Sequence, residues 1–137
     1  MKVILDTCVL SELNRAQCPE SVRRQVEAIA EEEIFISAVT IGEITKGIAL
    51  LDIGERQNRL QSWLSGLESH YAEHILGFNA GVARIWGELT ARAQQAGRIV
   101  PAADGIIAAT AIYHGCHVMT RNVSDFEPTG VLVINPW

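Results

Sequence analysis

The chain has 137 residues, of which 48% are hydrophobic and 20% charged, with a formal net charge of −5. This composition excludes a disordered or low-complexity protein, and the absence of an internal repeat excludes a solenoid. The acidic balance argues against a broad non-specific nucleic-acid footprint but not against nucleic-acid chemistry, because acids that hold divalent cations attract phosphate.

The length fits a single domain spanning 1–137. One lysine and four apolar residues precede Asp6, too few for a signal peptide or a membrane span, so a cytoplasmic protein is expected. Cys8, Cys18 and Cys116 form no C-x-x-C pair and fit reduced thiols.

Val3-Ile4-Leu5 is an apolar run without polar alternation, the signature of a strand covered on both faces. It ends in Asp6-Thr7, which sits where ligands bind in open parallel sheets or else caps the next helix. Val9 to Leu13 reads as a short helix. Pro19-Glu20 opens a second, with Val22, Val26, Ile29 and Ala30 as its buried stripe. Ile34-Phe35-Ile36 is a second strand, followed from Thr40 by a helix burying Ile41, Ile44, Ile48 and Leu51.

Glu55 to Leu67 forms a further helix that Gly66 weakens. Ile75 to Phe78 is a third strand or a packed connection. Asn79 caps a long helix from Ala80 to Ala96, and Pro101 introduces another, Ala102 to His114, stopped by Gly115. Cys116 to Thr120 is a strand, Arg121 to Pro128 a loop, and Val131 to Ile134 the last strand. Strands alternating with helices imply an α/β domain with a mainly parallel sheet.

In such a sheet a helix that leads back into a strand has its N-terminus at the edge where strands end. Asp6 ends a strand, Glu43 and Asp104 fall in first turns of helices, and Asp125 lies in the loop after the strand that ends at Thr120. All four acids therefore map to one edge. Carboxylates gathered in one cleft require neutralisation, and all-oxygen ligands favour Mg²⁺ or Mn²⁺ over zinc. The expected chemistry is metal-assisted phosphodiester hydrolysis, one ion activating water and one stabilising the leaving oxygen. Asp6, Glu43, Asp104 and Asp125 are the candidate catalytic and metal-binding residues. Thr7, Thr120, Asn122 and Arg121 are candidates to support them or contact substrate, with Arg15, Lys46 and Arg98 as further substrate contacts.

Each residue also has a plainer role. Thr40-Ile41-Gly42-Glu43 matches a capping box, Asp104 suits a first helical turn, Asp125 a turn and Asn122 an Asx turn. The joint placement of four acids on one edge is what separate local roles do not supply. His70-Tyr71-Ala72-Glu73-His74 matches an H-x-x-E-H zinc-peptidase spacing, but no later helix offers a third ligand. His114-Gly115-Cys116-His117 lacks a second ligand pair. Trp63 and Trp86 lie on apolar stripes and read as core or dimer contacts.

These residues resemble the PIN-domain family, and within it VapC-type toxins of toxin-antitoxin modules, particularly the FitB-like branch. The resemblance rests on Val3 to Thr7, Ser37 to Ile44, Ala102 to Ala111, Thr120 to Phe126 and the closing Asn135-Pro136-Trp137. It implies a PIN-like three-layer α/β/α fold and a Mg²⁺- or Mn²⁺-dependent ribonuclease that cleaves cellular RNA, is inhibited by a cognate antitoxin protein, and forms a homodimer without any membrane. The family usually carries Asn after the Asp-Thr pair, where this chain has Cys8. The alternative class is a non-enzymatic regulatory module binding metal or a basic partner peptide through the same acidic cleft.

Overall fold

Val3, Ile4 and Leu5 form strand β1 (Val3–Leu5), and none of the three has any exposed surface. The reason is visible in the layers of the computed structural model, which describes residues 1–137. Val3 and Leu5 point into one core, with Val9, Leu10, Val22, Ile44, Ile48 and Leu64. Ile4 points into a second core, with Val82, Leu89, Ile107, Ala108 and Phe126. A strand with helices on both faces has no polar face to show, hence the unbroken apolar run. Burial of each such side chain contributes about 1.5–3 kcal/mol.

Strands β2 (Ile34–Ser37), β3 (Ile75–Leu76), β4 (His117–Met119) and β5 (Val133–Ile134) complete a sheet of order β3-β2-β1-β4-β5. Every pairing is parallel; Val3 stands opposite Ile34 on one side and His117 on the other. Helices α1 (Thr7–Leu13), α2 (Glu20–Glu27), α3 (Ala38–Ala49) and α4 (Glu55–His70) supply the first core. Helices α5 (Ala80–Gln95), α6 (Ala102–His114) and α7 (Val123–Phe126) supply the second. The result is a three-layer α/β/α arrangement. After β1 the chain builds outward through β2 and β3, then returns to place β4 on the opposite side of β1. That reversal opens a crevice at the carboxyl ends of β1 and β4, where Asp6 and Thr120 lie.

Several boundaries differ from the sequence reading. Helix α3 begins directly after β2, so Ser37 is its cap, its hydroxyl accepting the Val39 N–H at 3.3 Å. Thr40 is therefore inside the helix and fully buried, no capping box forms, and Glu43 lies in the second turn rather than the first. Pro19 flanks α2 instead of opening it. Helix α4 runs through Gly66 to His70, because an exposed glycine with open space around it weakens a helix without breaking it. The segment read as a loop after β4 contains α7 and a turn of 3₁₀ helix, Glu127–Thr129, anchored by the fully buried Phe126. Asn79 caps α5 as expected, its side chain accepting the Val82 N–H at 2.9 Å. Gly115 stops α6 with φ +69°, a left-handed conformation that favours glycine. No helix is long and apolar enough to cross a membrane.

Candidate active site

Asp6 follows β1 directly, and its amide still reaches the Met119 carbonyl at 3.0 Å, extending the ladder with β4. Its side chain is only 4% exposed. One carboxylate oxygen accepts the Thr7 N–H at 2.8 Å, so Asp6 caps α1. The other accepts the Thr120 hydroxyl at 2.7 Å and lies 3.7 Å from the Cys8 thiol. Cap and cleft residue are thus one side chain with its two oxygens divided between the two tasks.

The remaining acids arrive from other elements. Glu43 projects from α3 and accepts the Thr7 hydroxyl at 3.1 Å, joining α3 to the start of α1. Asp104 is half-buried in the first turn of α6. Asp125 is exposed on α7. Burial first, then the charges of Asp6, Asp125 and Glu43 in that order, push the Asp104 carboxyl up from 3.8 to about 6. Asp104 thus feels all three other acids, so the four share one electrostatic neighbourhood.

Around them, Thr120 is fully buried and its hydroxyl also accepts the Asn122 N–H at 3.0 Å. Cys8 Sγ accepts the Arg121 N–H at 3.5 Å and sits 3.5 Å from Thr120 Oγ1. Burial pushes the Cys8 thiol up; hydrogen bonds from Arg121 and Thr120 oppose this, and the Asp6 charge adds to it. Cys8 therefore remains a protonated, weak donor at neutral pH.

As they stand, no three His, Cys, Asp or Glu side chains converge closely enough to grip an ion. The donor set nevertheless suits a hard cation: it is all oxygen, it carries uncompensated negative charge felt at Asp104, and Glu43 and Asp125 are exposed. Closing such side chains on a cation restricts their rotamers without disturbing the core.

Of the other candidates, Arg15 is paired with Glu12 at 3.2 Å, whereas Lys46 and Arg98 are exposed and unpaired. The histidine motifs are accounted for structurally. His70 ends α4 and pairs with Glu31, while His74 bonds the Ile34 carbonyl at 2.8 Å and stacks on Phe35. Both line a cleft of about 550 Å³ at the opposite, amino-terminal end of β2, with Glu31, Glu32 and Tyr71. Trp63 and Trp86 pack half-buried against the first and second cores. Gly105, unremarked in the sequence, matters because a Cβ there would lie 3.1 Å from the Trp86 ring, next to Asp104.

A profile of the PIN domain matches residues 3–128. The chain belongs to the PIN-domain family. Among PIN-domain proteins it is 38% identical over 136 residues to the VapC ribonuclease Y4jK of Sinorhizobium fredii, covering 98% of this chain and 97% of that one. It is equally 38% identical over 136 residues to toxin FitB of Neisseria gonorrhoeae, covering 98% of each. The crystal structure of FitAcB from Neisseria gonorrhoeae superposes with a TM-score of 0.92 at 38% identity, covering 98% of each chain. The protein is a homologue of the VapC and FitB toxins, and the three-layer fold is that of the PIN domain.

Proposed function

We propose that this PIN domain is a divalent-metal-dependent endoribonuclease, acting as the toxin of a toxin-antitoxin module and hydrolysing RNA phosphodiester bonds at the cleft of Asp6, Glu43, Asp104 and Asp125. The observation that carries the reading is the Asp104 carboxyl, pushed up to about 6 with the other three acids all contributing. Four like charges kept within reach of one another destabilise a fold, and the local contacts of Asp6 and Glu43 do not account for Asp104 and Asp125 being gathered beside them. Kinship to proteins named VapC ribonuclease and toxin FitB supports the reaction class and the role.

Asp6, Asp104, Glu43 and Asp125 would hold Mg²⁺ or Mn²⁺. A cation so held lowers the pKa of water and offsets charge developing on phosphate oxygens. The chain's own residues do the rest. Thr120 and the Thr7 amide fix the orientation of Asp6, and Thr7 steers Glu43 toward the same side. The raised proton affinity of Asp104 belongs to the metal-free cleft, and it marks the negative charge that a cation held there would offset. Arg121 and Asn122, whose backbone N–H groups bond Cys8 and Thr120, would contact substrate, and single-stranded RNA suits an open edge. A cognate antitoxin protein inhibits the enzyme by covering the cleft, and the active form is a homodimer.

Cleavage of total RNA is measured with Mg²⁺, with Mn²⁺ and with EDTA, for wild type beside Asp6→Asn and Asp104→Asn. Cleavage that needs the metal and disappears in both variants supports the reading. Tight metal or peptide binding with no cleavage at any metal would instead identify a regulatory module.

A further inference from the structure

A cleft of four carboxylates in a protein of net charge −5 repels the polyanion it is proposed to cut. Counter-charge must therefore be supplied locally. Of the basic residues considered for this edge, Arg15 is already paired with Glu12, and Lys46 and Arg98 are exposed and unpaired. Arg121 is different. It directly follows Thr120, and its backbone N–H is fixed on Cys8 Sγ, itself 3.7 Å from Asp6. The side-chain ion pairs are Arg15–Glu12, Arg24–Glu20 and His70–Glu31, so Arg121 takes part in none despite its acidic neighbours.

Its guanidinium lies instead over the ring of Trp137, 5.3 Å from the ring centroid. Trp137 is held where it is by independent contacts. Thr120 donates its N–H to the Ile134 carbonyl at 2.9 Å, which brings the segment after β5 alongside the end of β4. Pro136 is buried, and its carbonyl accepts the Gln25 side-chain amide of α2 at 3.4 Å. The Trp137 N–H bonds the Asn135 side chain at 3.1 Å, and the indole packs half-buried on the first core. The half-buried ring is thus seated on the first core, and the exposed Arg121 lies over it.

We infer that Trp137 is a positioning residue that holds the Arg121 guanidinium at the acidic edge, unpaired, as a contact for an RNA phosphate flanking the scissile one. This rests on the ribonuclease reading and deepens it. A guanidinium stacked on an aromatic ring keeps its edge donors free for a phosphate while losing the freedom to fold back onto a carboxylate.

The test uses a short fluorescent single-stranded RNA with wild type, Trp137→Ala, Trp137→Phe, Arg121→Ala and the double variant. KM and kcat are measured with Mn²⁺, and binding by anisotropy in EDTA. Trp137→Ala is expected to raise KM and weaken EDTA binding about 3- to 5-fold with kcat within about twofold, the size of an exposed cation–π contact. Trp137→Phe restores most of the loss, and the double variant matches Arg121→Ala. Removing Arg121 lowers the slope of log affinity against log salt by about 0.7, one phosphate contact on a single strand. A wild-type KM and affinity in Trp137→Ala, additive effects in the double variant, or a loss that Phe does not restore overturns the inference. If wild type binds RNA with this coupling yet cleaves nothing, the ribonuclease reading falls and the contact stands. Cleavage without the coupling gives the reverse, and absence of both binding and cleavage removes both.

Discussion

Thr120 donates its hydroxyl hydrogen to Asp6 at 2.7 Å, a bond between residues 114 positions apart in sequence. Both groups are buried, and the same hydroxyl accepts the Asn122 N–H, so one oxygen ties the end of β1 to the loop that leads to Asp125. Replacing Thr120 by Val keeps the shape and removes the shortest hydrogen bond to Asp6, leaving that oxygen only the weak Cys8 thiol. Expected is a loss of about 1–3 kcal/mol of stability in urea unfolding, since a buried acceptor is orphaned. RNA cleavage should fall by roughly tenfold or more, and Thr120→Ser should recover most of both. Unchanged unfolding for Val would show that water replaces the bond.

Asp104 makes the cleft pH-dependent. Its folded value, about 6, lies above the ordinary 3.8, so the folded state binds the proton more tightly than the unfolded state does. Well below 3.8 both states are protonated and there is no effect; well above 6 both are ionised and the folded state carries the full penalty. Stability therefore falls as pH rises through that window. In EDTA, Asp104→Asn should raise Tm by roughly 2–5 °C at pH 7.5 and by almost nothing at pH 3, and in a separate assay with Mn²⁺ it should abolish cleavage. Scanning calorimetry at the two pH values decides it; an equal gain at both would mean that packing, not charge, is responsible.

Two glycines on adjacent helices should respond oppositely. At Gly105 a Cβ would meet Trp86 at 3.1 Å and Val100 at 3.3 Å, so α5 and α6 pack closely beside Asp104 only because nothing is there. Gly105→Val should cost about 1–3 kcal/mol by overpacking and reduce cleavage by displacing the first turn of α6. At Gly87, on the exposed side of α5, a Cβ would meet nothing within 4 Å. Gly87→Ala should stabilise by up to about 1 kcal/mol and leave cleavage unchanged. Thermal melts of the pair test the contrast.

Cys8 holds its neighbours at 3.5 to 3.7 Å, reasonable for sulfur but weak. Cys8→Asn offers an amide that can donate to Asp6 and accept from Arg121. Cleavage should be unchanged or raised by up to about fivefold, the effect of about 1 kcal/mol of better hydrogen bonding. A total loss of activity would show that the thiol itself is required.

The sheet was legible because β1, β2 and β4 bury alternate side chains in two cores, leaving apolar runs that only a doubly covered strand explains. The edge on which the acids gather followed from those strands and from α6, whose bounds the sequence delimits through Pro101 and Gly115. Glu43 was reached by the right helix through the wrong turn, because Thr40 and Ser37 are both competent caps and only the absence of a β2–α3 loop selects Ser37. Helix α7 was missed because four residues carry no periodicity, and its existence depends on Phe126 reaching a core built by distant elements. Trp137 gave no local signal for its stack on Arg121, since the pairing of β4 with β5 brings the two together.

β1 pairs early with β2 on one side, but its other side is completed only by β4, so one edge of the first strand is among the last to find its partner. A polypeptide still emerging from the ribosome has made Asp6 and Glu43 long before Asp104, Thr120 and Asp125 exist. Non-local strand pairing is also slow. A half-synthesised copy consequently carries no assembled cleft, and a cell making this protein meets the acidic centre only after the chain has been made through Asp125.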